Sequence, residues 1–147
     1  MKTQLHWHWT IFGVLLISSL ISACSTTTGN RDQLEMAPLS QMPMEVRNAP
    51  LAVQHAYRFA TANPDLMKQI PCYCGCGAIG HTSNYDCYVS EVNSNGEIIF
   101  DNHSLGCSIC VDITQDVMRL LGDGSTPQEI RSYIDITYSK YGTPNLP

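Results

Sequence analysis

Positive charge is scarce in this chain: eight Lys and Arg face 13 Asp and Glu across 147 residues, for a net charge of −5. No basic cluster breaks the acidic background, which argues against nucleic acid and against an anionic membrane surface as charge partners. A membrane-spanning run is also missing. Residues 11–21 (IFGVLLISSLI) are uncharged and mostly apolar, but they fall short of the roughly 20 residues that cross a bilayer. Covalent haem attachment is excluded too, because Cys107-Ser108-Ile109-Cys110 is followed by Val111 and not by histidine. The length left after an export signal suffices for one domain.

That apolar run does fit the central region of a signal peptide, with Lys2 supplying the positive charge ahead of it. Ser22 and Ala23 are small and lead directly into Cys24. The sequence Ile21-Ser22-Ala23-Cys24 resembles the lipobox of bacterial lipoproteins. In that family the cysteine sulfur takes a diacylglycerol and becomes the new N-terminus. The resemblance implies a signal peptide at residues 1–23, lipidation of Cys24 with acyl chains such as palmitate, and anchorage to the extracytoplasmic face of a cell membrane or envelope. Each buried methylene contributes roughly 0.8 kcal/mol, so two or more chains hold firmly.

Residues 24–47 read as a flexible tether. Thr26-Thr27-Thr28-Gly29-Asn30 is small and polar, and Pro38, Met42, Pro43 and Met44 follow without helical or strand period. Met36, Met42 and Met44 offer soft sulfur to copper, but read more simply as parts of an irregular tether. From residue 48 to 147 the pattern is that of a folded domain. Leu51, Val53, Ala56, Phe59 and Ala60 repeat at helical spacing behind Pro50, which predicts a helix over residues 50–62. His55 sits on that helix with no role in chemistry. Asn63-Pro64-Asp65 breaks it, and a short turn over residues 66–70 delivers Pro71. Residues 88–92 and 97–101 flank Ser94-Asn95-Gly96, a hairpin signal. A helix over residues 107–121 presents Cys110, Ile113, Val117, Leu120 and Leu121, and Gly122-Asp123-Gly124 stops it. Thr126-Pro127-Gln128-Glu129 has the form of a capping box. The helix it opens carries an inward stripe of Ile130, Tyr133, Ile134, Thr137, Tyr138 and Tyr141, and ends at Gly142. The fold expected is mainly α, with one small β-hairpin beside a cysteine-rich metal-binding loop.

Six cysteines remain after Cys24, and all fall between Cys72 and Cys110. Pro71-Cys72-Tyr73-Cys74-Gly75-Cys76-Gly77 sets three thiols at alternating positions, with glycines that let the backbone curl until the sulfurs converge. His81 and Cys87 follow, then His103, and then Cys107 and Cys110 at the opening of a helix, where amide dipoles favour thiolate. Thiolate-rich ligation selects Cu(I), zinc or iron–sulfur chemistry. Two other readings stay open. An even cysteine count in an exported small domain also suits three disulfides, although cysteines one residue apart pair poorly with each other. Cys107 and Cys110 alone suit a thiol–disulfide redox protein.

The runs PCYCGCG, GHTSNYDCYV, DNHSLGCSICVDI and STPQEIRSYID resemble the PCYCGC-motif family of bacterial lipoproteins over residues 50–141. That resemblance fixes a class and implies no particular activity. A second likeness concerns Leu105-Gly106-Cys107-Ser108-Ile109-Cys110, a helix, Gly124-Ser125, and a second helix from Glu129 to Tyr141-Gly142. It is similar to the thiol-reducing subunit of cytochrome c maturation, which carries a redox-active C-x-x-C on a helical hairpin. Gly106 and Lys140 stand where that family has arginines, and the three-cysteine loop has no counterpart there. The reading taken forward is a non-enzymatic, lipid-anchored protein that holds or transfers copper or zinc. Its ligands come from Cys72, Cys74, Cys76, Cys87, Cys107, Cys110, His81 and His103. Its partners are the membrane, through the lipid, and another metal-handling or redox protein; nucleic acid is not among them.

Overall fold

The computed structural model of the protein describes residues 34–146. The predicted signal peptide, Cys24 and the tether up to residue 33 lie outside the described residues, among which no helix is long and apolar enough to cross a membrane.

Five helices and one hairpin build the domain: α1 (Met44–Arg47), α2 (Leu51–Ala62), α3 (Pro64–Met67), β1 (Val89–Val92), β2 (Ile98–Phe100), α4 (Ser108–Gly122) and α5 (Pro127–Tyr138). α4 is the central element, packed against α2 on one side and α5 on the other. Its buried residues Cys110, Val111, Ile113 and Val117 meet Ala56, Phe59 and Ala60 of α2 and Ile130, Ile134 and Tyr138 of α5 in one core.

The boundaries follow local chemistry. Pro50 caps α2 from outside, and its carbonyl accepts the amides of Val53 and Gln54 at 2.9 and 3.1 Å. α5 opens on a complete capping box: Thr126 Oγ1 accepts the Glu129 amide, and the Glu129 carboxylate accepts the Thr126 amide at 2.8 Å. α4 stops at Gly124, whose φ of +87° is open to glycine at no steric cost. The amides of Gly124 and Ser125 return to the carbonyls of Leu121 and Leu120. The hairpin pairs antiparallel, with Val89 opposite Phe100 and Val92 opposite Ile98. Its loop is longer than Ser94-Asn95-Gly96 alone, because Asn93 clamps it with backbone and side chain to Asn95 and Glu97.

Three sequence expectations are corrected. The folded unit begins before residue 48, since Ala37, Met42 and Val46 are buried. Ala37 exchanges hydrogen bonds with Arg58: its amide donates to the Arg58 carbonyl, and its carbonyl accepts from Arg58 Nε. Met42 is therefore a core side chain, while Met44 is exposed on the surface. Leu51 is exposed as well. At about 100° per residue it lies half a turn away from Ala60, on the wrong side of α2. Tyr133 and Tyr141 are also exposed, the first at the margin of the α5 stripe under Arg119 and the second on a 3-10 turn past the helix end. Finally, α3 starts at Pro64 itself, where proline is at home in a first helical turn.

Candidate metal centre

The loop from Ile70 to Cys87 carries four of the six thiols, and its shape comes from two glycines. Gly75 and Gly80 adopt φ of +86° and +98° on either side of a 3-10 turn, Cys76–Ile79. The reversal folds Cys76 back towards Cys87, which ends a second 3-10 turn, Tyr85–Cys87. Tyr73 pins the loop to α5 through its hydroxyl, 2.6 Å from Asp135 Oδ1. Tyr88 pins it to α4, donating to the Cys110 carbonyl at 2.8 Å and lying 2.7 Å from Thr114 Oγ1.

The C-terminal tail closes over this loop. Asn145 accepts the Cys72 amide on Oδ1 at 2.7 Å, gives its own amide to the Cys72 carbonyl, and directs Nδ2 to the Cys76 sulfur at 3.4 Å. The tail lies so close that a Cβ on Gly142 would come 2.9 Å from the Tyr73 carbonyl oxygen. Asn145→Ala leaves the buried Cys72 amide without an acceptor, a loss of about 1–3 kcal/mol. The expected result is a lower urea midpoint with an unchanged slope, and a weaker metal affinity, measured by denaturation and competition titration.

All six thiols and one imidazole converge. Cys72 Sγ lies 3.4 Å from both Cys74 Sγ and Cys110 Sγ, and Cys74 Sγ lies 3.6 Å from Cys110 Sγ. His103 Nε2 approaches Cys74 Sγ at 3.3 Å, and Cys76 Sγ and Cys87 Sγ are 3.6 Å apart. The donors form two groups, each with all ligand atoms within 4.8 Å of one another: Cys74, His103, Cys107 and Cys110, and Cys72, Cys76 and Cys87. These spacings are far from the roughly 2.05 Å of a disulfide bond, and all six cysteines are free thiols. They are close to the tetrahedral edge around zinc, where a Zn–S bond of about 2.3 Å sets sulfurs roughly 3.8 Å apart. A small outward movement would admit an ion.

Their mutual charge effects point the same way. Hydrogen bonds from the Cys110, Cys76 and Cys87 thiols pull the Cys72 thiol below its ordinary value. Cys76 is pushed up to about 11, chiefly by its hydrogen bond to Cys72. Cys110 and Cys87 are raised by the same network, and Cys74 by burial and then by the Cys72 charge. A metal ion held by these sulfurs would displace their thiol protons.

Of the eight residues expected as ligands, seven are in the two groups. His81 is not. Its Nε2 lies 3.5 Å from Asp101 Oδ2, its ring stands edge-on to His103 at 5.2 Å, and its buried Nδ1 has no partner among the described residues. Asp101 supports both histidines, since its Oδ1 also accepts the His103 amide at 2.7 Å. Asp101 and Asn145 were not expected. Asp101 stands two residues before His103, a visible hint; nothing in the tail sequence singles out Asn145.

The chain belongs to the family described as proteins of unknown function with a PCYCGC motif, whose model matches residues 14–146. No curated protein and no solved structure matches it.

Proposed function

We propose that this member of the PCYCGC family is a lipid-anchored, extracytoplasmic protein that holds and transfers a thiophilic transition metal, copper(I) or zinc. One observation carries the reading: five free thiols and the His103 imidazole, drawn from positions 72 to 110, make contacts of 3.3–3.6 Å, and the sixth thiol, Cys107, lies within 4.8 Å of Cys74, His103 and Cys110. A lone buried cysteine behaves as a small hydrophobe, but six gathered cysteines form a soft ligand set that becomes anionic as thiol protons leave. Hard ions such as magnesium or calcium prefer oxygen, which this cluster lacks. Cys107 and Cys110 do open a helix, as redox pairs do. Here Cys110 touches Cys72 and Cys74, so its chemistry is shared with the loop.

The metal content of Cys74→Ser tests the reading, because Cys74 contacts Cys72, Cys110 and His103 together. Metal per chain should fall sharply in the anaerobically purified variant. An unchanged content would sink the assignment and favour redox work by Cys107 and Cys110.

Anchoring rests on the lipobox-like run ending at Cys24. In Cys24→Ala, lipid labelling should disappear, leaving the protein unprocessed or released from membranes. Wild-type labelling in that variant would contradict the anchor.

A further inference from the structure

The ligand count of the cluster has a consequence for how many ions it takes. Cys74, His103, Cys107 and Cys110 make a complete four-donor set of three sulfurs and one nitrogen, a composition that closes a tetrahedral zinc site. Cys72, Cys76 and Cys87 are three further sulfurs and lack a fourth. Cys74 and Cys110 each have their sulfur 3.4 Å from that of Cys72; of the two, Cys110 is buried like the three inner cysteines, whereas Cys74 is partly exposed. Seven donors supply two tetrahedra when one thiolate is shared, and Cys110 stands where the two groups meet.

The groups differ in access. Cys72, Cys76 and Cys87 are buried, whereas Cys74 and Cys107 are partly exposed. A cavity of about 370 Å³, lined by Val53, Leu105, Gly106, Cys107 and Asp112 among others, opens beside Cys107. The inner group is roofed by Asn145, which bonds both to the backbone of Cys72 and to the sulfur of Cys76.

We infer that the cluster is a two-ion centre bridged by the Cys110 thiolate, with an inner ion on Cys72, Cys76 and Cys87 that is retained and an outer ion on Cys74, His103 and Cys107 that exchanges through the cavity beside Cys107. This rests on the metal-binding reading above and deepens it. The outer ion is the one passed to or taken from a partner, and the inner ion holds the loop in the shape that presents it. Binding needs no redox step: each ion enters as thiol protons leave, and the sulfurs keep their oxidation state.

The test uses the reduced protein from Cys24 onward, loaded with zinc and followed by native mass spectrometry during challenge with a chelator. Two zinc ions per chain should bind, one leaving in a fast phase and one in a slow phase. Cys107→Ser should lose the fast ion and keep the slow one, and Asn145→Ala should accelerate the slow phase and leave the fast one unchanged. Since Cys107 is partly exposed, its serine variant tests the outer site without opening the core. A single zinc per chain, or two leaving in one phase, would overturn the two-ion assignment while leaving metal binding intact. No zinc and no copper(I) bound by the wild-type protein would overturn both.

Discussion

A strong chelator added anaerobically to the metal-loaded domain should lower its melting temperature by roughly 15 °C. Binding to the folded state alone stabilises by about 4 kcal/mol when the free ion stands at 1,000 times its dissociation constant. For a domain of this size each kcal/mol moves the transition by roughly 4 °C. The loop between Cys72 and Cys87 contains no α-helix or strand: two 3-10 turns, the Asn145 strap and the hydrogen bonds of Tyr73 and Asn84 hold it. A reductant that does not coordinate metal should leave the transition in place. A domain held by three disulfides would behave in the opposite way, with reductant collapsing it and chelator doing nothing. Indifference to both treatments would mean that α2, α4 and α5 carry the fold alone and that the ion is cargo only.

Tyr57→Ala should be nearly as damaging, costing about 3–5 kcal/mol as expected for truncating a buried aromatic ring. That is a large part of the 5–15 kcal/mol that typically holds a domain together. Tyr57 is completely buried, stands edge-on to Tyr88 at 4.9 Å, and donates its hydroxyl to the Asp101 carbonyl at 2.7 Å. Both neighbours support the Cys/His cluster, Tyr88 by holding Cys110 and Asp101 by holding His103. Tyr57→Phe keeps the ring and should cost only about 1 kcal/mol in a urea titration. It should nevertheless weaken the site that includes His103. Equal losses for the two variants would show that the hydroxyl, and not the packing, dominates.

Much of this arrangement is legible in the sequence, and the exceptions share a cause. The α5 start is written locally, because Thr126 and Glu129 satisfy each other without help from the rest of the chain. The same holds for the proline entry to α2 and for the stop of α4 at Gly124. Residues 34–47 read as tether because their placement depends on partners far along the chain, such as Arg58 for the buried Ala37 and Asn63 for the backbone of the exposed Glu35. Helical period predicted which residues share a face but not how wide the covered face would be, so Leu51, Tyr133 and Tyr141 were placed inward and are exposed. In the site, cysteine spacing announced convergence, yet partition into two groups is a property of the folded loop. His81 and His103 look alike in sequence. The ligand position falls to His103 because the 3-10 turn His103–Leu105 sets its Nε2 beside Cys74, while His81 leans on Asp101.

The central claim is that these thiols exist to hold metal, and elemental analysis combined with a thiol count on the anaerobically purified wild-type protein tests it most directly. Copper or zinc should co-purify. The six thiols should resist alkylation while the metal is bound, and all six should react once acid or a chelator removes it. A protein without metal, in which six thiols cannot be recovered after denaturation unless a reductant is added, would contradict the claim and identify the cluster as a disulfide framework.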